Sequence, residues 1–201
     1  MPLQRNEFIP QSMTTVYTSP SGMTDIRTGQ PYRAGGLYPN VYFDLTEKEA
    51  QAYGPNLHSG RYRFVQIDST ATASNLVLGS IALMKTFAQG LNFITSYDLG
   101  LSPALRQVVM LQTLTSAQVL AGAWVFVQEL GIATVQGKTG GVTNASPAVG
   151  DVINVISPGT VDDLATPGTV VSTTVGFAVS APNHTGTATF LAELALPVLQ
   201  D

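Results

Sequence analysis

The chain has 201 residues, enough for one sizeable domain, and 44% of them are hydrophobic. Only 11% are charged, against about 25% in a typical soluble domain, and the net charge is −4. Cysteine is absent, which excludes disulfides, catalytic thiols and thiolate metal sites. The few Lys and Arg residues are dispersed, so we expect no nucleic-acid partner. A surface with so little charge suits a protein covered by partners, or one that is insensitive to salt.

Targeting signals are not evident in the sequence. No apolar run reaches the roughly 20 residues that cross a bilayer, so no membrane partner is expected. Residues 1–7 lack the apolar core of a secretory signal. We therefore expect the protein to be made in the cytoplasm, and to leave it only as part of a particle.

Residues 1–58 are predicted to form an extended N-terminal arm, and residues 59–201 a β-domain. Residues 11–36 are rich in Ser, Thr, Gly and Pro and show no periodicity. The arm nevertheless carries spaced aromatic residues, which a disordered linker would lack. We expect it either to lie on another surface or to wrap its own barrel. The candidate residues for contacts with a partner surface or a second subunit are Phe8, Tyr17, Tyr32, Tyr38, Tyr42 and Phe43.

One short helix is predicted near residues 46–53. Thr46 and Glu49 have the spacing of a capping box, in which the hydroxyl and the carboxylate each accept a backbone N–H. Gly54 and Pro55 then end the helix. This is the only helix that the sequence predicts in the arm.

A strand is predicted to begin at Gly60. Over residues 61–68 the apolar alternation changes phase, which indicates a β-bulge or a strand buried on both faces. Arg61 and Arg63 are two residues apart and would share one face of this strand. The prediction for that face is a solvated surface.

Further strands are predicted over residues 76–84 and 91–97 from their composition. Residues 104–111 fit a helix or a strand, and the neighbouring strands favour a strand. Residues 122–135 hold the only tryptophan, Trp124, and are predicted to form two strands that meet at a tight connection.

After this stretch, strands are predicted over residues 151–156, 170–179 and 187–194, the second of them broken near Gly176. Residues 157–168 are predicted to form a loop. Short strands separated by Gly and Pro turns predict an all-β fold, either a sandwich or a barrel.

Motifs for catalysis are incomplete. Residues 137–139 match the end of a phosphate-binding P-loop, but the first glycine of that motif falls on Ile132 and no helix is predicted after it. The two histidines, His58 and His184, have no partner at the spacing of a metal site or a general base. We therefore predict that the protein is not an enzyme and uses no cofactor or metal.

Small and apolar residues recur in the pattern Gly122-x-Trp124-x-x-Val127-Gln128-x-x-Gly131-x-Ala133-x-Val135, which is followed by residues 149–152, 175–178 and 187–191. This pattern resembles the β-rich structural proteins of tailed-bacteriophage heads, in particular decoration or cement-type capsid proteins. The resemblance extends over about residues 60–195.

The resemblance implies a virion protein on the capsid exterior. It would bind the major capsid protein, associate with itself as a dimer or trimer, and stabilise the shell as a cement protein. The acidic net charge agrees with an outer position, because packaged nucleic acid would repel the chain. An alternative is another virion component, such as a tail or fibre protein with a receptor- or glycan-binding β-sandwich.

Overall fold

The computed structural model describes residues 8–10, 12–18, 23–25, 42–86, 92–97, 106–137, 147–157, 159–163, 174–180 and 189–194. The fold is mainly β, as the sequence predicts. The strands are β1 (Phe8–Pro10), β2 (Met23–Asp25), β3 (Tyr42–Leu45), β4 (Gly60–Ile67), β5 (Ile81–Thr86), β6 (Asn92–Ser96), β7 (Arg106–Met110), β8 (Trp124–Gln136), β9 (Val152–Ser157), β10 (Thr160–Asp163), β11 (Thr174–Ala178) and β12 (Thr189–Leu194). The helices are α1 (Glu47–Tyr53) and α2 (Ser116–Leu120). Neither of these helices has the length and apolar character needed to cross a membrane, within the ranges given above.

Five strands close a small barrel. The order of the large sheet is β10-β9-β11-β12-β8-β7-β5-β6-β4-β3, and a further pairing joins β8 to β4. That pairing closes the ring β8-β7-β5-β6-β4, in which β4 and β6 run parallel. Closure removes the free strand edges that an open sheet would expose. Apolar side chains pack together within the ring, among them Val65, Ile67, Met84, Ile94, Val125 and Val127.

The barrel strands are buried on their outer faces as well. On β5, Ile81 and Leu83 face a second cluster of buried apolar side chains, which lies under the C-terminal strands β8 to β12. On β4, Tyr62 and Phe64 face a third cluster, which α1 and the N-terminal segment cover. The barrel is therefore the middle layer of the molecule. The prediction that β4 is buried on both faces is confirmed, because its alternate residues enter two different clusters.

The prediction of two strands within residues 122–135 is wrong. Residues Trp124–Gln136 form one strand of 13 residues, β8, which bends at Gly131 instead of ending there. Gly131 has a φ of 90°, a conformation that glycine adopts without a Cβ penalty. Before this residue β8 pairs with β4, and after it β8 pairs with β12. One strand thus belongs to both the barrel and the C-terminal sheet.

Two further elements differ from the predictions. Residues Thr160–Asp163 form β10 inside the predicted loop, because Gly159, with a φ of 78°, lets the chain turn back against β9. Helix α2 was not predicted. It begins with a capping box in which Thr115 N–H donates to Gln118 Oε1 at 2.8 Å. The helix predicted near residues 46–53 is confirmed as α1, where Thr46 N–H donates to Glu49 Oε2 at 2.9 Å.

The boundary predicted between residues 58 and 59 lies inside one packed unit. Strand β3 pairs with β4 across it. Met13 and Leu57 belong to the same buried cluster as Tyr62 and Phe126. The described residues 12–18 and 42–58 therefore pack with the β-domain, whereas β1 and β2 pair with each other in a separate two-stranded sheet. The arm's residues 1–7, 11, 19–22 and 26–41 lie outside the described residues.

Candidate functional site

Tyr17, one of the predicted contact residues, is buried in its own chain. Its backbone forms a short bridge with Trp124, with N···O distances of 2.9 and 2.8 Å. Its hydroxyl donates to Ser12 O at 2.6 Å, and its ring meets Phe64 edge-on with centroids 5.8 Å apart. Burial raises the pKa of this hydroxyl. Of the two predictions for the arm, this segment follows the second and wraps its own barrel.

The other predicted contact residues give less information. Phe43 is half-buried on β3, and its ring centroid lies 5.9 Å from that of Phe126. Phe8 lies in β1 and Tyr42 in β3, but their side chains are outside the described parts of the chain, as are Tyr32 and Tyr38 entirely. The described aromatic residues therefore do not form a free contact surface.

The side chain of Trp124 also packs inside the protein. Its ring stacks on Phe64 with centroids 5.5 Å apart, and it packs against the cluster beneath the N-terminal segment. The tryptophan thus holds β8 to β4 and to the segment around Tyr17, so its role is structural.

An exposed apolar corner lies at the end of β11 and consists of Val149, Phe177 and Val179. Their side chains are 67%, 43% and 37% exposed, whereas Ala178 between the last two is buried. Gly150 N–H donates to Ala178 O at 2.8 Å, which brings Val149 beside the strand. Sequence reasoning missed this corner, although the alternation in residues 175–179 indicates two apolar faces. The corner is a surface that a partner could cover.

A cleft of about 600 Å³ lies between the loop after α1 and the C-terminal half of β8 with its neighbour β12. We call it the α1 cleft. Leu57, Leu78 and Leu191 line it with apolar surface. Its polar lining comes from amide, imidazole and hydroxyl groups, including those of Asn56, His58, Thr134, Ser180 and Thr189. None of its described lining residues is Asp, Glu, Lys or Arg.

Glu47 fastens the loop that forms one wall of the α1 cleft. Its Oε1 lies 2.9 Å from His58 Nδ1, and its Oε2 accepts Ser59 N–H at 2.7 Å. The Ser59 hydrogen bond, with that of His58, lowers the pKa of Glu47 below its ordinary value. A carboxylate accepts only, so Nδ1 of His58 carries a proton and donates it to Glu47, and Nε2 is the ring nitrogen left for other partners. The sequence shows no partner for His58 at the spacing of a metal site or a general base, but folding brings α1 beside it and makes Glu47 its hydrogen-bond partner.

Tyr62 supports the same loop from beneath. Its hydroxyl donates to His58 O and accepts His58 N–H, the latter at 3.1 Å. Burial raises the pKa of Tyr62 to about 12. The loop from Gly54 to Ser59 is thus held at two points, by Glu47 at the surface and by Tyr62 in the core.

The prediction that Arg61 and Arg63 lie on a solvated face is wrong for Arg63. Arg61 pairs with Asp44 at the surface, with Nε 2.7 Å from Oδ1. Arg63 is buried and pairs with Glu129. The register between β4 and β8 shifts here, because Arg61 faces Leu130 and Tyr62 faces Gln128. Glu129 is the extra residue of this bulge, and the bulge turns its carboxylate toward Arg63.

No group of three or more His, Cys, Asp or Glu residues that could hold a metal ion occurs among the residues described above. Comparison of the chain with profiles of known protein families, with curated proteins and with solved structures found no match.

Proposed function

We propose that this chain is a structural protein of a bacteriophage head, which binds the outer surface of the capsid and stabilises it. The sequence pattern over about residues 60–195 resembles decoration and cement-type proteins. The observation that carries the proposal is the apolar corner of Val149, Phe177 and Val179, whose side chains are exposed at the end of β11.

The apolar corner has the character of a docking surface. Phe177 projects from β11, whose inner face packs in the cluster under the C-terminal strands, and Val179 directly follows this strand and donates its N–H to Leu191 O at 2.7 Å, so the corner is preorganised. Burying an exposed aromatic ring and two valines contributes a modest binding free energy per copy, about 25 cal/mol for each Å² of apolar area removed from water. A cement protein acts through many copies on one shell, so a modest contribution from each suffices.

The low charge of the chain supports the same role. With 13 acidic and 9 basic residues, it has little Coulomb energy that salt could screen. An association through apolar surface would therefore hold over a wide range of ionic strength. The proposal includes the major capsid protein and a second copy of this chain as partners.

The test is cosedimentation of the purified chain with shells that lack it. We expect the wild-type chain to sediment with the shells at both low and high salt. Phe177→Ser should weaken binding about tenfold, because truncating a central aromatic contact typically costs 1–2 kcal/mol. The matched control is Leu120→Ser, which alters a leucine of α2 that is 73% exposed.

Circular dichroism would show that both variants keep their β-structure. Equal binding by the Phe177→Ser and Leu120→Ser variants would remove the apolar corner from the proposal. Failure of the wild-type chain to sediment with shells would overturn the capsid role itself.

A further inference from the structure

We infer that the α1 cleft is a binding site for a neutral, hydroxyl-rich small molecule, a mono- or disaccharide. The inference goes beyond the capsid role and depends on different residues. The cleft has a volume of about 600 Å³, within the range of about 300–1,000 Å³ that small-molecule sites occupy.

The cleft contains an unfilled place in a strand ladder. On the side of β8 away from β12, Ile132 N–H donates to Ser59 O at 3.1 Å, and Gln136 N–H donates to Gly79 O at 2.8 Å. In an antiparallel strand alternate residues point to the same side, so Thr134 points its N–H into the gap between these two bonds. Its C=O lies against Gly79, where an added Cβ would come within 3.2 Å of the carbonyl oxygen. Among the described residues, none accepts the Thr134 N–H on that side.

This gap favours a compact ligand over a peptide strand. Added strands bind through a run of main-chain groups along a free edge. Among the described residues of this edge only Thr134 has its main-chain N–H available, because Ser59 and Gly79 occupy the positions on either side. A small molecule can use this single backbone donor, whereas an extended peptide would collide with Ser59 and Gly79.

The polar groups around the gap match hydroxyls. Nδ1 of His58 is taken up by Glu47, so Nε2 is the ring nitrogen left to bond a ligand hydroxyl, and a hydroxyl can serve it as donor or acceptor. The side chain of exposed Asn56 supplies both a donor and an acceptor. Together with Thr134, they can bond several hydroxyl groups of one ligand without any ionic contact.

The remaining lining explains why the ligand is neutral and partly apolar. No described lining residue carries a full charge, so a charged ligand would lose its hydration without an ionic partner. Leu57, Leu78 and Leu191 provide the surface against which the C–H face of a pyranose ring can pack. A saccharide combines these two requirements, because it carries hydroxyls at its edges and C–H groups on its faces.

The experiment is a titration of the full chain, followed by NMR, with the methyl glycosides of glucose, galactose, mannose and N-acetylglucosamine. Sialic acid serves as the charged probe, and a leucine-containing tripeptide amide as the peptide probe. We expect at least one neutral glycoside to shift the Thr134 amide and the His58 ring resonances. Asn56→Ala should weaken that binding about three- to tenfold, as the loss of one hydrogen bond does.

Leu78→Ser tests the apolar wall, and Leu120→Ser is its control. Leu78 is 45% exposed in the cleft and Leu120 is 73% exposed on α2, so neither change should unfold the chain. We expect weaker glycoside binding only for the first. The inference is overturned if no glycoside shifts Thr134, if sialic acid binds as well as the neutral sugars, or if only the peptide binds.

Discussion

Arg63 and Glu129 form a bidentate ion pair between strands β4 and β8. Arg63 Nε lies 2.6 Å from Glu129 Oε1, and Arg63 Nη2 lies 3.0 Å from Oε2. The two side chains are only 9% and 3% exposed. Two charges buried this deeply are tolerated because each is paired with the other. Removing one of the two side chains leaves the other as a buried charge without compensation.

Glu129→Gln should therefore destabilise the fold by about 3–5 kcal/mol, as breaking a buried pair typically does. Replacing both partners, as in Arg63→Met with Glu129→Leu, should recover most of this loss because no buried charge remains. Chemical denaturation followed by Trp124 fluorescence measures both effects. Arg106→Ala is the control: its Nη1 reaches Glu129 Oε1 at 3.4 Å from a side chain that is 52% exposed, so it should cost less than about 1 kcal/mol. A double variant as unstable as Glu129→Gln would contradict this account.

Gly131→Ala should be far more destabilising than Gly150→Ala. The two glycines have nearly equal φ angles, 90° and 93°, so alanine meets similar backbone strain at both. A Cβ on Gly131 would overlap Ser59 O, whereas a Cβ on Gly150 has nothing within 4 Å. We expect about 1–2 kcal/mol for Gly150→Ala and at least twice that for Gly131→Ala. Similar unfolding midpoints for the two variants would show that the contact between β8 and Ser59 is not rigid.

Glu47→Gln should reduce stability in a pH-dependent manner. The hydrogen bonds from Ser59 and His58 lower the pKa of Glu47 below its ordinary value of 4.5. A lowered folded-state pKa stabilises the fold at pH values above the unfolded-state pKa, and this contribution disappears as the pH falls through the folded-state pKa. The stability gap between the wild type and the variant should be full at neutral pH and should shrink below about pH 4.5. Unfolding midpoints measured from pH 7 to pH 3 test this, and a gap of constant size would contradict it.

The all-β class and most strands are predictable from the sequence, because composition and turn residues are local signals. The capping boxes at Thr46 and Thr115 have the same spacing, and attention to the second would also have predicted α2. The single strand β8 was missed because glycine marks both turns and bends. Only the partners of β8, far away in the chain, decide between these outcomes.

The sites depend on contacts that a sequence does not display. His58 meets Glu47 across 11 positions, and Arg63 meets Glu129 across 66 positions through a bulge. The α1 cleft depends on Ser59 and Gly79 flanking Thr134, which only the folded ladder brings about. The burial of Tyr17 follows from its bridge to Trp124, a residue far away in the chain, so the sequence left open whether this segment lies on another surface or on its own barrel.

The continuity of β8 has a mechanical consequence. Because one unbroken strand runs through both the closed barrel and the C-terminal sheet, a force applied at the apolar corner passes through β12 into β8 and from there into the barrel. The hydrogen bonds that β8 makes with β4 and β12 must break before either half can detach. We expect the two halves to unfold together in a single transition under load.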